Sequence, residues 1–197
     1  MRKRHVTASA FLVMVLVAAG CAGQSPPVAG ELLLPNVYVT AYSWFDNTPA
    51  GSPAISHPVL HQTAGGTGTY EDPVTVAVGH SLETGEDVLD IPAGTKIYVP
   101  SVRRYFIVED TCGDGPSPED GPCHSGAEEF GDASLWIDLW IGGEGERAAL
   151  ARSCAKAITG VHTVILNPGG NYLVASGAGV IHEDSCDADY GNTVITK

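Results

Sequence analysis

Hydrophobic positions along the chain fall mostly in short runs rich in β-branched and aromatic residues. The runs are bounded by glycine, proline or charged residues, as strands usually are. Six of them predict strands: Val37–Tyr42, Val74–Val78, Lys96–Pro100, Tyr105–Val108, Ser134–Trp140 and Val161–Leu166. Several short strands with little helix favour a small β-barrel over a fold in which strands and helices alternate.

One segment between the last two runs has a helical pattern instead. Residues Glu144–Ile158 are rich in alanine, leucine and arginine, which favour helices, and Gly160 follows as a stop signal. Glu144 and Glu146 suit the positive end of a helix that starts there. The spacing of the small residues places Cys154 on the face that points inward or toward the C-terminal tail.

The N-terminal residues have the composition of a secretory signal. A basic start precedes the apolar stretch Ala8–Ala19, which is shorter than a membrane-spanning helix requires. The segment Ala18–Cys21 resembles the bacterial lipobox, whose cysteine receives a diacylglycerol. This resemblance implies a lipoprotein signal peptide at residues 1–20, with lipidation at Cys21. Residues 21–35 would then be the lipid anchor and tether, holding an exported domain at the outer face of the membrane. An ordinary export signal that ends near a cysteine is the alternative.

The five cysteines fit an exported protein once Cys21 is assigned to lipid. The remaining four are an even number, as expected where disulfides form. Three pairings are possible. We favour Cys112–Cys123, which closes a short loop rich in glycine and proline, and Cys154–Cys186, which would join the helix to the C-terminal tail.

The chain is strongly acidic, with a formal net charge of −13. Loss of Arg2, Lys3 and Arg4 with the signal changes this value to −16. Such a charge disfavours nucleic acid and anionic headgroups as partners, so we expect membrane contact through the lipid anchor only. A neutral or amino-sugar glycan is the more natural partner.

Four segments occur in an order that resembles wall-active double-psi β-barrels: Thr40–Tyr42, Ile91–Val99, Val108–Gly113 and Trp136–Leu139. This order is similar to the three-aspartate (3D) domain. That domain is related to membrane-bound lytic transglycosylase A and, more distantly, to rare lipoprotein A, expansins and family 45 endoglucanases. The resemblance implies a mainly β fold with a six-stranded double-psi barrel over residues 36–168 and one helix after the Asp138 strand. Residues 169–197 would form a disulfide-tethered extension.

Two of the three aspartates of the 3D domain carry over directly, as Asp110 and Asp138. The first follows an Ala-Val pair in that family, whereas Gly79 follows the pair in this chain. Counting back from the Ile-Pro-Ala-Gly-Thr stretch leads instead to Asp87 or Asp90, with an insertion in between. Both candidates stay open.

Asp138 is the predicted general acid, as the aspartate of the corresponding strand is in the related enzymes. Apolar neighbours on both sides, and the rings of Trp136 and Trp140 on the same strand face, make a setting that raises a carboxyl pKa. Asp110 would position Asp138 in a lytic transglycosylase, or Asp110 or Asp46 would act as the base of an inverting hydrolase. The alternative is a structural aspartate between two tryptophans of the core.

Aromatic residues near the start of the domain are candidates for sugar contacts. Tyr42 and Trp44 lie in a segment that resembles the Thr-x-Tyr opening of expansins and endoglucanases. We predict that they bind substrate together with Asp46, Trp136 and Trp140. Ordinary core packing is the alternative for each ring.

These observations predict a surface-anchored protein that acts on a cell-wall polysaccharide, peptidoglycan first, by lytic transglycosylation or hydrolysis. A non-catalytic, expansin-like glycan-binding module is the alternative, and an interaction protein without either role is a third reading. We expect a monomer that uses no cofactor and no metal.

Overall fold

The computed structural model describes residues 30–113 and 115–197. The predicted signal peptide and Cys21 lie outside the described residues. The strands, in chain order, are β1 (Leu32–Tyr42), β2 (Val74–Val78), β3 (His80–Ser81), β4 (Val88–Leu89), β5 (Lys96–Val99), β6 (Arg104–Thr111), β7 (Trp136–Trp140), β8 (Gly160–Leu166), β9 (Ile181–His182) and β10 (Ser185–Cys186). The α-helices are α1 (Pro122–Ser125) and α2 (Ala148–Ile158), and 3₁₀ turns cover Pro118–Asp120 and Ala127–Glu129.

Six of the strands close into a barrel in the order β1-β7-β2-β6-β5-β8. Two neighbouring pairs are parallel, β1 with β7 and β2 with β6. The other four junctions are antiparallel. Two small sheets, β3–β4 and β9–β10, lie outside the barrel. The predicted mainly β fold with a closed six-stranded barrel is confirmed.

The alternation of side chains along β1 and β7 separates the core from the outer surface. Val39, Ile137 and Leu139 are fully buried in the apolar core. Thr40 and Asp138, one residue along on their strands, are only half-buried. Successive side chains of a strand point to opposite faces. The sequence pattern therefore places Asp138 on the face opposite the core.

Strand β1 begins earlier than predicted. Leu32 lies inside the segment 21–35 that was expected to be a tether, but Leu32 and Leu34 pair with Leu166 and Val164 of β8. The backbone hydrogen bonds of this antiparallel pairing extend the strand although the side chains of Leu32 and Leu33 are exposed. The tether prediction is thus corrected at its C-terminal end.

Helix α2 begins later than predicted, at Ala148 rather than Glu144. Gly143 and Gly145 have positive φ angles, 105° and 77°, and make turns that an α-helix does not accommodate. Glu146 therefore precedes the helix, and its first turn carries no acidic residue. The buried face is as expected, because Cys154 is almost fully inaccessible.

Both predicted disulfides are present, Cys112–Cys123 and Cys154–Cys186. The C-terminal segment is also held by Arg104 of β6, which is completely buried. Its guanidinium binds the carboxylate of Asp187 and donates to the main-chain carbonyls of Ala175, Ser176 and Gly177. Paired in this way, a buried charge anchors the segment to the barrel. Within the described parts of the chain, no helix is long and apolar enough to cross a membrane.

Candidate active site

A row of four residues crosses the outer face of the barrel. In the strand register Thr40 of β1 pairs with Asp138 of β7, and Asp138 pairs with Ala77 of β2. Ala77 in turn pairs with Asp110 of β6. The two aspartates predicted as catalytic therefore stand on either side of one small residue. The methyl group of Ala77 leaves open the space between them.

A cavity of about 290 Å³ opens above this row. Ala77, Asp110 and Asp138 all line it. The remaining lining residues are Tyr42, Asp46, Asn47, Thr48, Ala54, Ile55, Ser56, Thr111, Cys112 and Gly113. The loop after β1 and the segment around Ser56 form the walls, so the cavity exists only in the folded barrel.

The carboxyl group of Asp138 has a pKa raised to about 7. Burial is the largest cause, because it disfavours the charged form. The hydroxyl of Thr40 donates a hydrogen bond of 2.6 Å to Oδ1 and opposes the rise, while the charges of Asp46 and Asp110 add to it. A carboxyl group with such a pKa carries a proton in a large fraction of molecules at neutral pH, as a general acid must.

Asp110 is buried and accepts four hydrogen bonds. Oδ2 accepts from the Tyr42 hydroxyl at 2.8 Å. Oδ1 accepts from the main-chain N–H and the hydroxyl of Ser56, and from the main-chain N–H of Thr111, each at 3.0 Å. Burial, and then the charge of Asp110, raise the pKa of Tyr42 well above its ordinary value. The Tyr42 hydroxyl therefore stays a donor, and Asp110 is firmly positioned.

Asp46 brings a third carboxylate to the cavity. It is exposed on the loop after β1, and its Oδ1 accepts from the N–H and the hydroxyl of Ser43 at 2.8 and 2.6 Å. The three carboxyl groups come from sequence positions that are far apart. Only the closed barrel and its loop bring them together.

Of the predicted aromatic contacts, the structure brings only Tyr42 to the cavity. Trp140 is buried, at 5% exposure, and packs edge-on against Tyr42 with ring centroids 5.2 Å apart. Trp44 is half-buried and packs against the core. Neither tryptophan lines this cavity, and both rings contribute to packing.

Trp136 lies beside this row of four residues and is not part of the cavity lining. Its indole N–H donates to the hydroxyl of Thr40 at 2.8 Å. Its ring contacts the rings of Tyr38 and Phe130 edge-on, at centroid distances of 4.7 and 5.2 Å. The ring thus supports Asp138 through Thr40 and does not flank the carboxyl group directly.

A family model, the DDB_G0273701 N-terminal domain, matches residues 34–187. The chain belongs to this family. A relative in Dictyostelium discoideum, the uncharacterized protein DDB_G0273701/DDB_G0273221, is 31% identical over 191 residues, covering 92% of this chain and 72% of the relative. No solved structure matches the chain.

The match to the DDB_G0273701 N-terminal domain includes nearly the whole barrel and all four cysteines of the two disulfides. It also includes the three carboxylates of the cavity, Asp46, Asp110 and Asp138. The candidate site is therefore part of the domain that defines the family.

Neither candidate for the missing first aspartate lines the cavity. Asp87 binds His80 at 2.6 Å, and Asp90 binds His124 at 2.6 Å. A Cβ atom at Gly79 would lie 2.3 Å from Oδ2 of Asp90 and 2.6 Å from the carbonyl oxygen of Cys123. A side chain at position 79 is excluded, and the carboxylate of Asp90 takes up the space.

Thr40, Ser56 and Ala77 bind or separate the carboxylates of the site, and they were not among the predicted functional residues. Thr40 and Ala77 lie on predicted strands, and their facing residues depend on a register that the chain does not display locally. Ser56 follows no strand or helix signal at all. Among the described residues, no group of three or more histidine, cysteine, aspartate or glutamate side chains is arranged to hold a metal ion.

Proposed function

We propose that this protein cleaves glycosidic bonds of a cell-wall glycan and that Asp138 is the general acid. The observation that carries the proposal is the position of Asp138, a carboxyl group with a pKa of about 7 at the side of an open cavity with two further carboxylates. Protonation of the leaving oxygen needs such a group within reach of substrate.

Hydrolysis needs a second carboxylate beside the acid, as base or as nucleophile. Asp138 and Asp110 lie on strands two apart, so their Cα atoms are separated by about 9–10 Å. Asp46 is the better base, because both oxygens of Asp110 are occupied by donors.

Lytic transglycosylation needs fewer groups. Asp138 would protonate the leaving oxygen and then accept a proton from the sugar's own hydroxyl, which closes an anhydro ring. In this reaction Asp46 and Asp110 act through their charges, which help to keep Asp138 protonated. The products separate the two reactions, since only hydrolysis creates a new reducing end.

Charge supports a neutral or amino-sugar substrate. Among the described residues that line the cavity, three are aspartates and none is lysine or arginine. With the net charge of −13, this lining repels phosphate-rich polymers. Peptidoglycan has a backbone of amino sugars and is therefore the first substrate to test.

The barrel itself is proposed to be of the double-psi type and related to the 3D domain, lytic transglycosylase A and expansins. Two parallel pairs, β1 with β7 and β2 with β6, within one closed six-stranded barrel support this assignment. Asp110 on β6 and Asp138 on β7 would correspond to the second and third aspartates of the 3D domain.

Export and lipid anchoring at Cys21 are part of the proposal. Two disulfides support an oxidising compartment. Expression with a Cys21→Ser substitution tests the anchor: metabolic labelling with a fatty acid should be lost, and the protein should leave the membrane fraction. Labelling that persists would contradict lipidation at this residue.

A glycan-binding module without catalysis is the second candidate. It is favoured by the four donors that fix Asp110, which suit a structural carboxylate. In that case the cavity would bind sugar, and Asp138 would only hold Thr40.

The deciding experiment incubates purified protein and its Asp138→Asn variant with peptidoglycan and analyses soluble products by mass spectrometry. Anhydro-muropeptides or new reducing ends from the wild type alone would support catalysis by Asp138. Equal co-sedimentation of both proteins with the wall, and no product, would replace catalysis by binding for this substrate.

A further inference from the structure

Three side chains form a directed series of hydrogen bonds that ends on the proposed acid. The indole N–H of Trp136 donates to Oγ1 of Thr40 at 2.8 Å. The hydroxyl of Thr40 donates to Oδ1 of Asp138 at 2.6 Å. The strand register explains the series, because Trp136 precedes Asp138 by two residues on the same face of β7 and Thr40 stands opposite Asp138 on β1.

The direction of the series follows from the hydrogens available. An indole nitrogen is a donor only, and a threonine hydroxyl has one proton and two lone pairs. Since Trp136 can only donate, Thr40 accepts from it and turns its own proton to Asp138. The hydroxyl oxygen of a carboxylic acid is a poorer acceptor than its carbonyl oxygen. Oδ1 of Asp138 therefore acts as the carbonyl oxygen, and the acid proton lies on Oδ2.

The indole ring is itself held in one orientation. Tyr38 and Phe130 stack on each other at 4.0 Å with an interplanar angle of 8°, and Trp136 meets both edge-on. Edge-to-face contacts of this kind are favourable and directional. These contacts hold the N–H of Trp136 in the direction of Thr40.

We propose that Trp136 is a positioning residue that, through Thr40, places the acid proton of Asp138 on Oδ2, the oxygen not occupied by Thr40. The inference rests on the proposed function, because it assigns the proton-donating atom of the same acid. It goes beyond that function, because it states that Trp136, which lies outside the cavity, determines which oxygen of Asp138 carries the proton.

The test is a titration of the Asp138 side-chain carboxyl carbon by ¹³C NMR in purified protein, with Asp138→Asn to assign the signal. Trp136→Phe keeps a ring against Tyr38 and Phe130 but removes the N–H. Thr40 is then free to turn away, and the charged form of Asp138 loses a donor. We expect the pKa of Asp138 to rise above the wild-type value. Tyr38→Phe, which keeps all rings, should leave it unchanged.

Two threonine variants give the reference values. Thr40→Val removes the last donor, so it should raise the pKa of Asp138 at least as far as Trp136→Phe does. Thr40→Ser keeps the hydroxyl and should restore the wild-type titration. With a cleavable glycan, the high-pH limb of the kcat profile should move upward in the same order while KM changes little.

The outcomes separate the two proposals. If Trp136→Phe titrates like the wild type while Thr40→Val does not, the positioning role of Trp136 is overturned and the general acid stands. If wild-type Asp138 titrates as an ordinary carboxyl group, the proposed acid fails as well. Should Trp136→Phe fold poorly, benzothienylalanine at position 136 preserves the bicyclic ring without the N–H and makes the same comparison.

Discussion

Asp138 and Asp110 lie on different strands of the barrel and both stand opposite the same residue, Ala77 of β2. This relationship defines the site, because the smallest chiral side chain lies between two carboxylates and leaves the cavity open above it. Ala77 is 1% exposed, so its size affects both the packing beneath it and the space above it.

Enlarging Ala77 should close the site. In Ala77→Val the added methyl groups enter the space between the carboxylates, and overpacking costs about 1–3 kcal/mol of unfolding free energy. We expect glycan cleavage or binding to fall at least tenfold in the fraction that remains folded. The measurements are urea unfolding and activity per folded molecule. Ala77→Ser, nearly equal in size, is the control, and an equal loss there would contradict the steric explanation.

Asp138→Asn should be more stable than the wild type at alkaline pH. A raised carboxyl pKa means that the folded state holds its proton more tightly, so stability falls as pH rises from about 4 to the folded value of about 7. The neutral amide avoids this loss. We expect a gain on the order of 2–4 kcal/mol at pH 8 that vanishes near pH 4. Urea unfolding at several pH values measures it, and a pH-independent difference would refute the raised pKa.

His61 should connect stability to pH through two carboxylates. Its Nδ1 lies 2.7 Å from buried Glu109 and its Nε2 lies 3.0 Å from Asp72. Burial alone would lower the pKa of His61, but the hydrogen bonds to Asp72 and Glu109 outweigh it and raise the pKa. The raised pKa stabilises the fold fully below the unfolded histidine pKa, and this contribution is lost as pH rises through the folded value.

Glu109 sets the lower pH limit of the range in which its contact with His61 stabilises the fold. Burial would raise its pKa, but donors from His61 and Leu60 outweigh burial and lower it, so its contribution is lost in acid. We therefore expect His61→Gln to cost about 1–3 kcal/mol near pH 5–6 and less above pH 7. Thermal unfolding across pH measures this. His162→Gln is the control, because the ring nitrogens of His162 contact Asn192 and the carbonyl of Ile158.

The two disulfides should differ in their effect on stability. Cys112–Cys123 spans 11 residues and Cys154–Cys186 spans 32. If each acts by restricting the unfolded chain, the longer loop contributes about 1 kcal/mol more. Double Cys→Ser variants of each pair, compared by guanidinium unfolding, measure the difference. A larger loss for the shorter loop would show that native contacts of its turn dominate.

The strand and helix assignments followed from local patterns because apolar periodicity reports which face is buried. The interiors of all six barrel strands were predicted, and only the ends moved. β1 is longer because pairing with β8 supplies hydrogen bonds for Leu32, and α2 is shorter because Gly143 and Gly145 take conformations that other residues avoid. Neither effect is visible in periodicity.

The aromatic residues show where local reasoning fails. Trp136 and Trp140 alternate with Asp138 in the sequence and share its strand face, yet one supports Thr40 and the other packs under Tyr42. Which of two equivalent positions meets solvent depends on what covers the sheet. The segments that pack on the sheet are distant in the chain, so the pattern of a single strand does not predict them.

The sequence by itself determined the interiors of the barrel strands, the helix and an even set of four cysteines, because these depend on neighbouring residues and on spacing. Asp110 and Asp138 were singled out by the resemblance of their strand contexts to the 3D domain. Only the tertiary structure decided that Ala77 separates Asp138 from Asp110, that Asp46 joins them, and that Asp90 fills the space beside Gly79. The physical reason is that register across strands and the folding of loops over them are set by contacts between residues far apart in the chain.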